Sequence, residues 1–210
     1  MYKSVYFHKT TRSAEVMLRL AFQRYRELLG AAVTEEQKRQ IVPDAPPIIL
    51  KAFSEAVTLE NYLALDDYVV TEFLKSCERS ADPILAALGA GIVHRRLYKA
   101  RDVSGLKGER LATFVERAKD RARQTGYSLE YHVVSDGPAD TSYKPYNPAK
   151  HKQSEPSQIF IEDDRGQITE LASESEAIHA LTKEMVWLRY YVPESLRTDI
   201  EAIYADIEKG

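Results

Sequence analysis

Eight residues near the start of the chain gather more chemistry than any other stretch: Val5-Tyr6-Phe7-His8-Lys9-Thr10-Thr11-Arg12. They bring together an imidazole, an ammonium, a guanidinium, two hydroxyls and two aromatic rings. On a helix, Tyr6 and Lys9 would share one face, and His8 and Arg12 a neighbouring one. Such groups suit a triphosphate or a sugar: Lys and Arg answer the charge, and Tyr stacks or donates a hydrogen bond. His8, Lys9 and Arg12 are therefore the candidate nucleotide- or phosphate-binding residues. The same composition also fits a charged first helical turn beside a buried aromatic, with Lys9 and Arg12 paired to Glu15 or an acidic loop.

Other reaction chemistry has little support. The histidines are His8, His94, His132, His151 and His179, and none is followed by Asp. No His-x-x-x-His or Cys-x-x-Cys spacing occurs, so a zinc site has no motif behind it. A phosphate-cradling Gly-x-x-x-x-Gly-Lys-Ser/Thr loop, a Gly-x-Gly-x-x-Gly turn and a Gly-x-Ser-x-Gly elbow are all missing. The acidic pairs Asp66-Asp67 and Asp163-Asp164 sit at a helix start and in a tight turn, where carboxylates serve structure.

The elements that position these residues read as mostly helical, then mixed. Met17, Leu20, Ala21, Tyr25 and Leu28 recur at spacings of three and four, which predicts a helix over residues 11–29. No breaker precedes it, so it is free to extend back to Tyr2. Thr34 with Gln37 forms a capping box, and Pro43, Pro46 and Pro47 break the chain. Asp66 or Asp67 caps a helix through Phe73 and Cys77, and Asp82-Pro83 opens another through Leu85, Leu88 and Ile92. Gly89 and Gly91 would each weaken that helix by about 1 kcal/mol relative to Ala, so close packing is their expected use. A further helix covers residues 108–124.

Beyond Gly126, aromatic and β-branched residues predict a strand over 127–134 and a proline-rich loop over 136–157. A hairpin joins 159–162 to 167–171, a helix opens at Ser173 or Ser175, a strand covers 186–192, and Pro193 starts a terminal helix. The expected fold class is α+β: a mostly helical lobe over residues 1–124, then a small mixed lobe over 125–210 with an antiparallel sheet.

A hydrophobic content of 44% and a charged content of 29% are ordinary for a globular protein. No run of 18 apolar residues suggests a transmembrane helix, and the N-terminus lacks a signal-peptide core. The single cysteine, Cys77, excludes an internal disulfide and fits a cytoplasmic setting. The net charge of −3 conceals an asymmetry: +4 over residues 1–40, −5 over 41–92, +6 over 93–124 and −8 over 154–210. The two basic segments could meet as an anion site or pair with the acidic ones. Nucleic acid is disfavoured, because only Phe114 is aromatic between Tyr98 and Tyr127 to stack on bases.

The opening block, with Glu15-Val16-Met17-Leu18 after it, resembles the segment that follows the catalytic core in HD-superfamily phosphohydrolases. These include the deoxynucleoside triphosphate triphosphohydrolases. Tyr62-Leu63-Ala64-Leu65-Asp66-Asp67-Tyr68, Asp82-Pro83-Ile84-Leu85 and His94-Arg95-Arg96-Leu97-Tyr98-Lys99 are similar to later landmarks of that family, in the same order. The resemblance implies that Tyr6 lines a substrate pocket near the sugar. It also implies that His8 and Lys9 contact an activating nucleotide at a subunit interface, near the basic run of residues 93–124. The family's metal-ligating His and His-Asp residues would lie upstream. The expectation is therefore an excised or truncated C-terminal region: no catalytic residue, no cofactor of its own, a weakly bound nucleotide and a homo-oligomeric state. Divalent metal is expected only in the missing catalytic part. An inactive homologue serving as a binding or oligomerisation module is the alternative.

Overall fold

The computed structural model describes residues 7–54, 58–137, 139–140, 159–162, 164–182 and 185–209. The architecture is α+β. Six helices come first: α1 (Lys9–Ala31), α2 (Glu35–Ile41), α3 (Pro47–Ser54), α4 (Leu59–Leu63), α5 (Asp67–Cys77) and α6 (Pro83–Val93). There follow β1 (Lys99–Asp102), α7 (Gly108–Gln124), α8 (Leu129–His132), β2 (Val134–Asp136), β3 (Ala139–Asp140), β4 (Phe160–Glu162) and β5 (Ile168–Glu170). The chain closes with α9 (Leu171–Glu174), α10 (Glu176–Leu181), β6 (Met185–Val186), β7 (Arg189–Val192), a 3-10 turn over Glu194–Leu196, and α11 (Arg197–Lys209).

The apolar stripe of α1 becomes the centre of the first core. Val16, Met17, Leu20, Ala21, Tyr25 and Leu29 are buried against Leu85 and Leu88 of α6 and Phe73 and Leu74 of α5. Phe22 stacks on Phe73 with centroids 5.5 Å apart, and Tyr25 meets the same ring edge-on at 4.9 Å. Caps set the helix starts. The Thr34–Gln37 capping box forms, and Asp66 accepts from the Val69 N–H at 2.8 Å. Asp82 accepts from the Leu85 N–H at 2.8 Å while its carboxylate also receives Arg24 at 2.6 and 3.2 Å. That carboxylate both begins α6 and ties it to α1.

The second core lies between α7 and α11. Phe114, Ala118 and Ala122 pack with Leu196, Ile200, Tyr204 and Ile207, beside Val103, Val133 and Val192. Much of the positive charge of α7 is answered there, with Arg121 on Asp199 at 2.8 Å and Arg117 on Asp206 at 2.5 Å. Between the cores runs a three-stranded antiparallel sheet with the chain's last strand, β7, in the middle. Ala100 of β1 and Val134 of β2 both lie opposite Tyr191. The hairpin appears as β4–β5, pairing Phe160 with Glu170.

Three expectations need correction. The strand over 127–134 is replaced by one turn, α8, and by β2 further on. Tyr127 is held back by its N–H bond to the Ala122 carbonyl at 2.9 Å. One helical turn then sends Tyr131 into the first core and Val133 into the second, which a straight strand could not do. The strand over 186–192 is two pieces, β6 and β7. The first helix does not reach back through Phe7, because His8 is extended (φ −61°, ψ 130°) and serves as N-cap. Phe7 is only 9% exposed and lies against Trp187 at 4.8 Å. Met17 and Leu20 are likewise covered, while Tyr6 is outside the described residues. Exposed large apolar side chains include Leu59, Tyr62, Leu63 and Tyr68 on α4 and the start of α5, with Val33 after α1 and Ile159, Phe160, Ile161 and Ile168 at the β4–β5 hairpin. β1 was not foreseen, since four residues reading Lys-Ala-Arg-Asp carry no alternation. Among the described residues no helix is long and apolar enough to cross a membrane.

His132 is buried between Tyr127 and Tyr98, with its Nδ1 donating to the Ser128 carbonyl at 3.0 Å. Burial lowers the imidazole pKa, the more so as the Ser128 contact only partly opposes it. The folded chain thus binds this proton less readily than the unfolded one. Stability is expected to rise with pH up to about 6.5, the ordinary imidazole value, and to level above it. Thermal melts between pH 5 and 7.5 check this. His132→Gln should flatten the slope, and an unchanged slope would remove His132 as its source.

Candidate anion-binding site

Contacts from β7, from β2 and from the residue before β1 hold the start of α1, and His8 caps it. Arg189 on β7, 7% exposed, donates through Nη1 to the Phe7 carbonyl at 2.6 Å. The Thr10 N–H donates to His8 Nδ1 at 3.3 Å, and Ser13 Oγ donates to the Tyr98 carbonyl at 2.7 Å. Arg12 places both prongs of its guanidinium on Asp136 of β2, Nε on Oδ2 at 2.9 Å and Nη2 on Oδ1 at 2.7 Å. Its remaining nitrogen reaches Glu15. The Asp136 hydrogen bonds raise the Arg12 pKa further, so this fork stays charged at any working pH.

With that end anchored, Lys9 faces a cleft of about 690 Å³. The first turn of α1, the connection from α6 into β1, β1 itself and α11 form its walls. Lys9, Arg95, Lys99, Arg101 and Arg197 supply cations, against Asp102 and Glu201. Some of these charges are already answered. Lys99 pairs with Glu194 at 2.7 Å, and Arg197 pairs with Glu201 at 2.9 Å. The Lys99 contact lowers the Glu194 pKa, and Glu201 raises that of Arg197. Arg101 lies over the Tyr204 ring at 3.5 Å, a cation–π contact, and its buried Nε has no hydrogen-bond partner among the described residues. Lys9 and Arg95 have no carboxylate partner among the described residues. The cleft is therefore a concave surface with an excess of cations, of a size that accepts a nucleotide-sized ligand. Its chemistry is recognition of anionic oxygens. No group of three or more His, Cys, Asp or Glu among the described residues is placed to hold a metal ion.

The candidate residues fall into distinct places. Lys9 lines this cleft and also a neighbouring hollow of about 230 Å³ shared with His8, Phe7, Asp102 and Arg189. His8 is exposed beside it, its Nδ1 spent on the cap. Arg12 turns away to Asp136 and Glu15 and does not line the cleft. Arg95, Lys99 and Arg101 belong to the basic run of residues 93–124, and the fold brings that run to Lys9. Charge counting marked the segment, but without β1 it could not pick these side chains from the ones on α7. Asp136 and Arg189 carried no signal, because neither sits in a motif.

No family model matches the chain. Its fold resembles part of a solved structure. The crystal structure of a Bacteroides thetaiotaomicron phosphohydrolase matches with a TM-score of 0.64 and 24% identity, over 92% of this chain and 47% of that one. In sequence, the chain is 26% identical over 200 residues to YwfO, an uncharacterized protein of Bacillus subtilis; the match spans 95% of this chain and 43% of YwfO. The chain thus spans less than half the length of each of these relatives.

Proposed function

We propose that the chain is the C-terminal, pocket-completing and regulatory region of an HD-type (deoxy)nucleoside triphosphate phosphohydrolase, not catalytic alone. In this reading its basic cleft holds the phosphates of a nucleotide. The observation that carries it is the convergence of Lys9 with Arg95, Lys99 and Arg101 on one concave surface. The fold shared with part of a phosphohydrolase agrees with it. Lys9 contacts phosphate oxygens with His8 beside it, Arg12 positions them by pinning α1 to Asp136, and Tyr6, outside the described residues, is the proposed contact to the sugar. The divalent metal would be held by the preceding catalytic part, so no hydrolytic step is assigned to these residues. The exposed Leu59, Tyr62, Leu63 and Tyr68 would serve assembly into a homo-oligomer, since monomers seldom leave such a patch bare. The same patch would serve an inactive homologue acting as an oligomerisation module.

Calorimetric titration of the purified chain with tripolyphosphate and a deoxynucleoside triphosphate tests the reading. Binding is expected at low salt, weakening as salt rises because exposed charges are screened over about 8–10 Å. Lys9→Ala should weaken it about tenfold, the scale of one charge-assisted contact. With manganese present the chain alone should release no triphosphate. No heat at millimolar ligand and low salt would overturn the cleft assignment. Turnover above background would overturn the non-catalytic one, and a monomer by light scattering would remove the assembly role.

A further inference from the structure

Away from the basic cleft, a second cavity of about 430 Å³ lies among α1, α2 and α3. The turn between α2 and α3 frames it, and that turn is fastened to the end of α5 and the residues just after it. Ser76 Oγ donates to the Asp44 carbonyl at 3.1 Å, and Ser80 Oγ to the Ile41 carbonyl at 2.6 Å. Val42, Pro47 and Leu50 give the cavity apolar walls, and Tyr25 of α1 lines it from the core side.

Tyr25 is 1% exposed, and its ring meets those of Phe53 and Phe73 edge-on at 5.5 and 4.9 Å. Phenylalanine would make the same contacts. The hydroxyl that distinguishes tyrosine has no hydrogen-bond partner among the described residues. The unpartnered side-chain polar atoms that are sealed from solvent there are Arg101 Nε and Tyr191 Oη. The Tyr25 oxygen is not one of them, so it keeps a small opening, and the cavity is what Tyr25 lines. Buried hydroxyls are rarely left unpaired, so this one calls for a partner that enters the cavity. Burial pushes the phenol up to about 12, which keeps it a hydrogen-bond donor at neutral pH.

The charges at the mouth are uneven as well. Lys38 is spent on Glu35 at 2.6 Å, and Asp44 faces Arg79 at 3.4 Å. Arg39 and Lys51 are exposed, line the same cavity and have no carboxylate partner among the described residues. Both sit in the last turns of their helices, where the dipole also favours a cation, so affinity rather than stability must separate the two roles.

We infer that this cavity is a second ligand site, for a carboxylic acid with an apolar body and an acceptor oxygen at its inner end. The carboxylate pairs with Arg39 and Lys51 at the mouth, the body lies on Val42, Pro47 and Leu50, and the inner oxygen accepts from Tyr25. A polyphosphate does not suit this lining, because apolar walls cannot replace the water its inner charges would lose. The site shares no lining residue with the cleft that holds Lys9.

Calorimetric titration of the 210-residue chain with para-acetylbenzoate tests the inference. Binding is expected at millimolar ligand. Arg39→Ala should weaken it about tenfold, the scale of one charge-assisted contact. Tyr25→Phe should weaken it about fivefold, yet leave para-ethylbenzoate, which lacks the inner acceptor, unchanged. That variant should melt no lower than the parent, since the hydroxyl has no partner within the fold to lose. Lys9→Ala should alter neither acid, so this site and the phosphate cleft fail or stand separately. No heat with para-acetylbenzoate would overturn the site. Equal losses for both acids in Tyr25→Phe would overturn the inner hydrogen bond, and unchanged affinity in Arg39→Ala would overturn the carboxylate's place at the mouth. A lower melting temperature for Tyr25→Phe would show that its hydroxyl serves the fold and overturn the argument from it.

Discussion

Gly89→Ala is expected to destabilise the chain by about 2 kcal/mol and lower its melting temperature by roughly 4–8 °C. A Cβ at this position would lie 2.7 Å from Cys77 Cβ and 2.8 Å from the Leu74 carbonyl oxygen. Neither neighbour is the loose end of a side chain; both belong to α5, whose Phe73, Leu74 and Cys77 are locked into the first core. The helices would have to separate, opening space around Phe73 and the rings stacked on it. The higher helix propensity of Ala returns about 1 kcal/mol, so the net loss is smaller than the clash. Burial pushes the Cys77 thiol up to about 12, which leaves it a packing group rather than a nucleophile. Gly30→Ala is the control: nothing lies within 4 Å of the added atom, and stability should hold or rise. Equal melting temperatures for the two variants would show that α5 and α6 have room to adjust.

Asp136→Ala should cost about 2–4 kcal/mol in chemical denaturation and also weaken anion binding. Asp136 is 9% exposed and holds both prongs of the Arg12 guanidinium. Removing it leaves that guanidinium three-quarters buried beside Glu15 alone, and breaking a buried pair from one side strands the other charge. The range is set below that of a fully buried pair because Arg12 keeps some contact with water. Lys9 sits one helical turn before Arg12, so a loosened α1 start moves the cleft's own cation. Asp136→Asn, which keeps the shape and one acceptor, should lose less of both. A cost under 1 kcal/mol with full anion affinity would show that Ser13 and Arg189 hold α1 by themselves.

Local rules carried the helical half. The α1 stripe, the Thr34–Gln37 box and the Asp66 and Asp82 caps are short-range events, each decided by a few residues around a turn, and each appears as its spacing predicts. Gly89 and Gly91 were readable as packing residues because a helix tolerates glycine poorly without a reason. Charge counting also showed that the run of residues 93–124 had more positive charge than its own carboxylates could answer.

Where those charges go was not local. The side chains of α7 meet the acidic face of α11, from the far end of the chain, while Arg95, Lys99 and Arg101 join Lys9 in the cleft. The division depends on β1, four residues with no alternation, which becomes a strand only because Arg189–Val192 arrives to pair with it. The same distance explains Arg12. Its spacing from His8 and Lys9 grouped the three, yet Asp136, 124 positions away, takes its guanidinium out of the site. The sequence by itself therefore determined α1, α2, α5, α6, α7 and α11, the caps at Thr34, Asp66 and Asp82, and the sign of the charge beside Lys9, but not α3, α4 or α8. The tertiary structure alone decided which cations face a ligand, because a salt bridge or sheet pairing between distant segments is fixed by the packing of both cores and leaves no periodic trace in either segment.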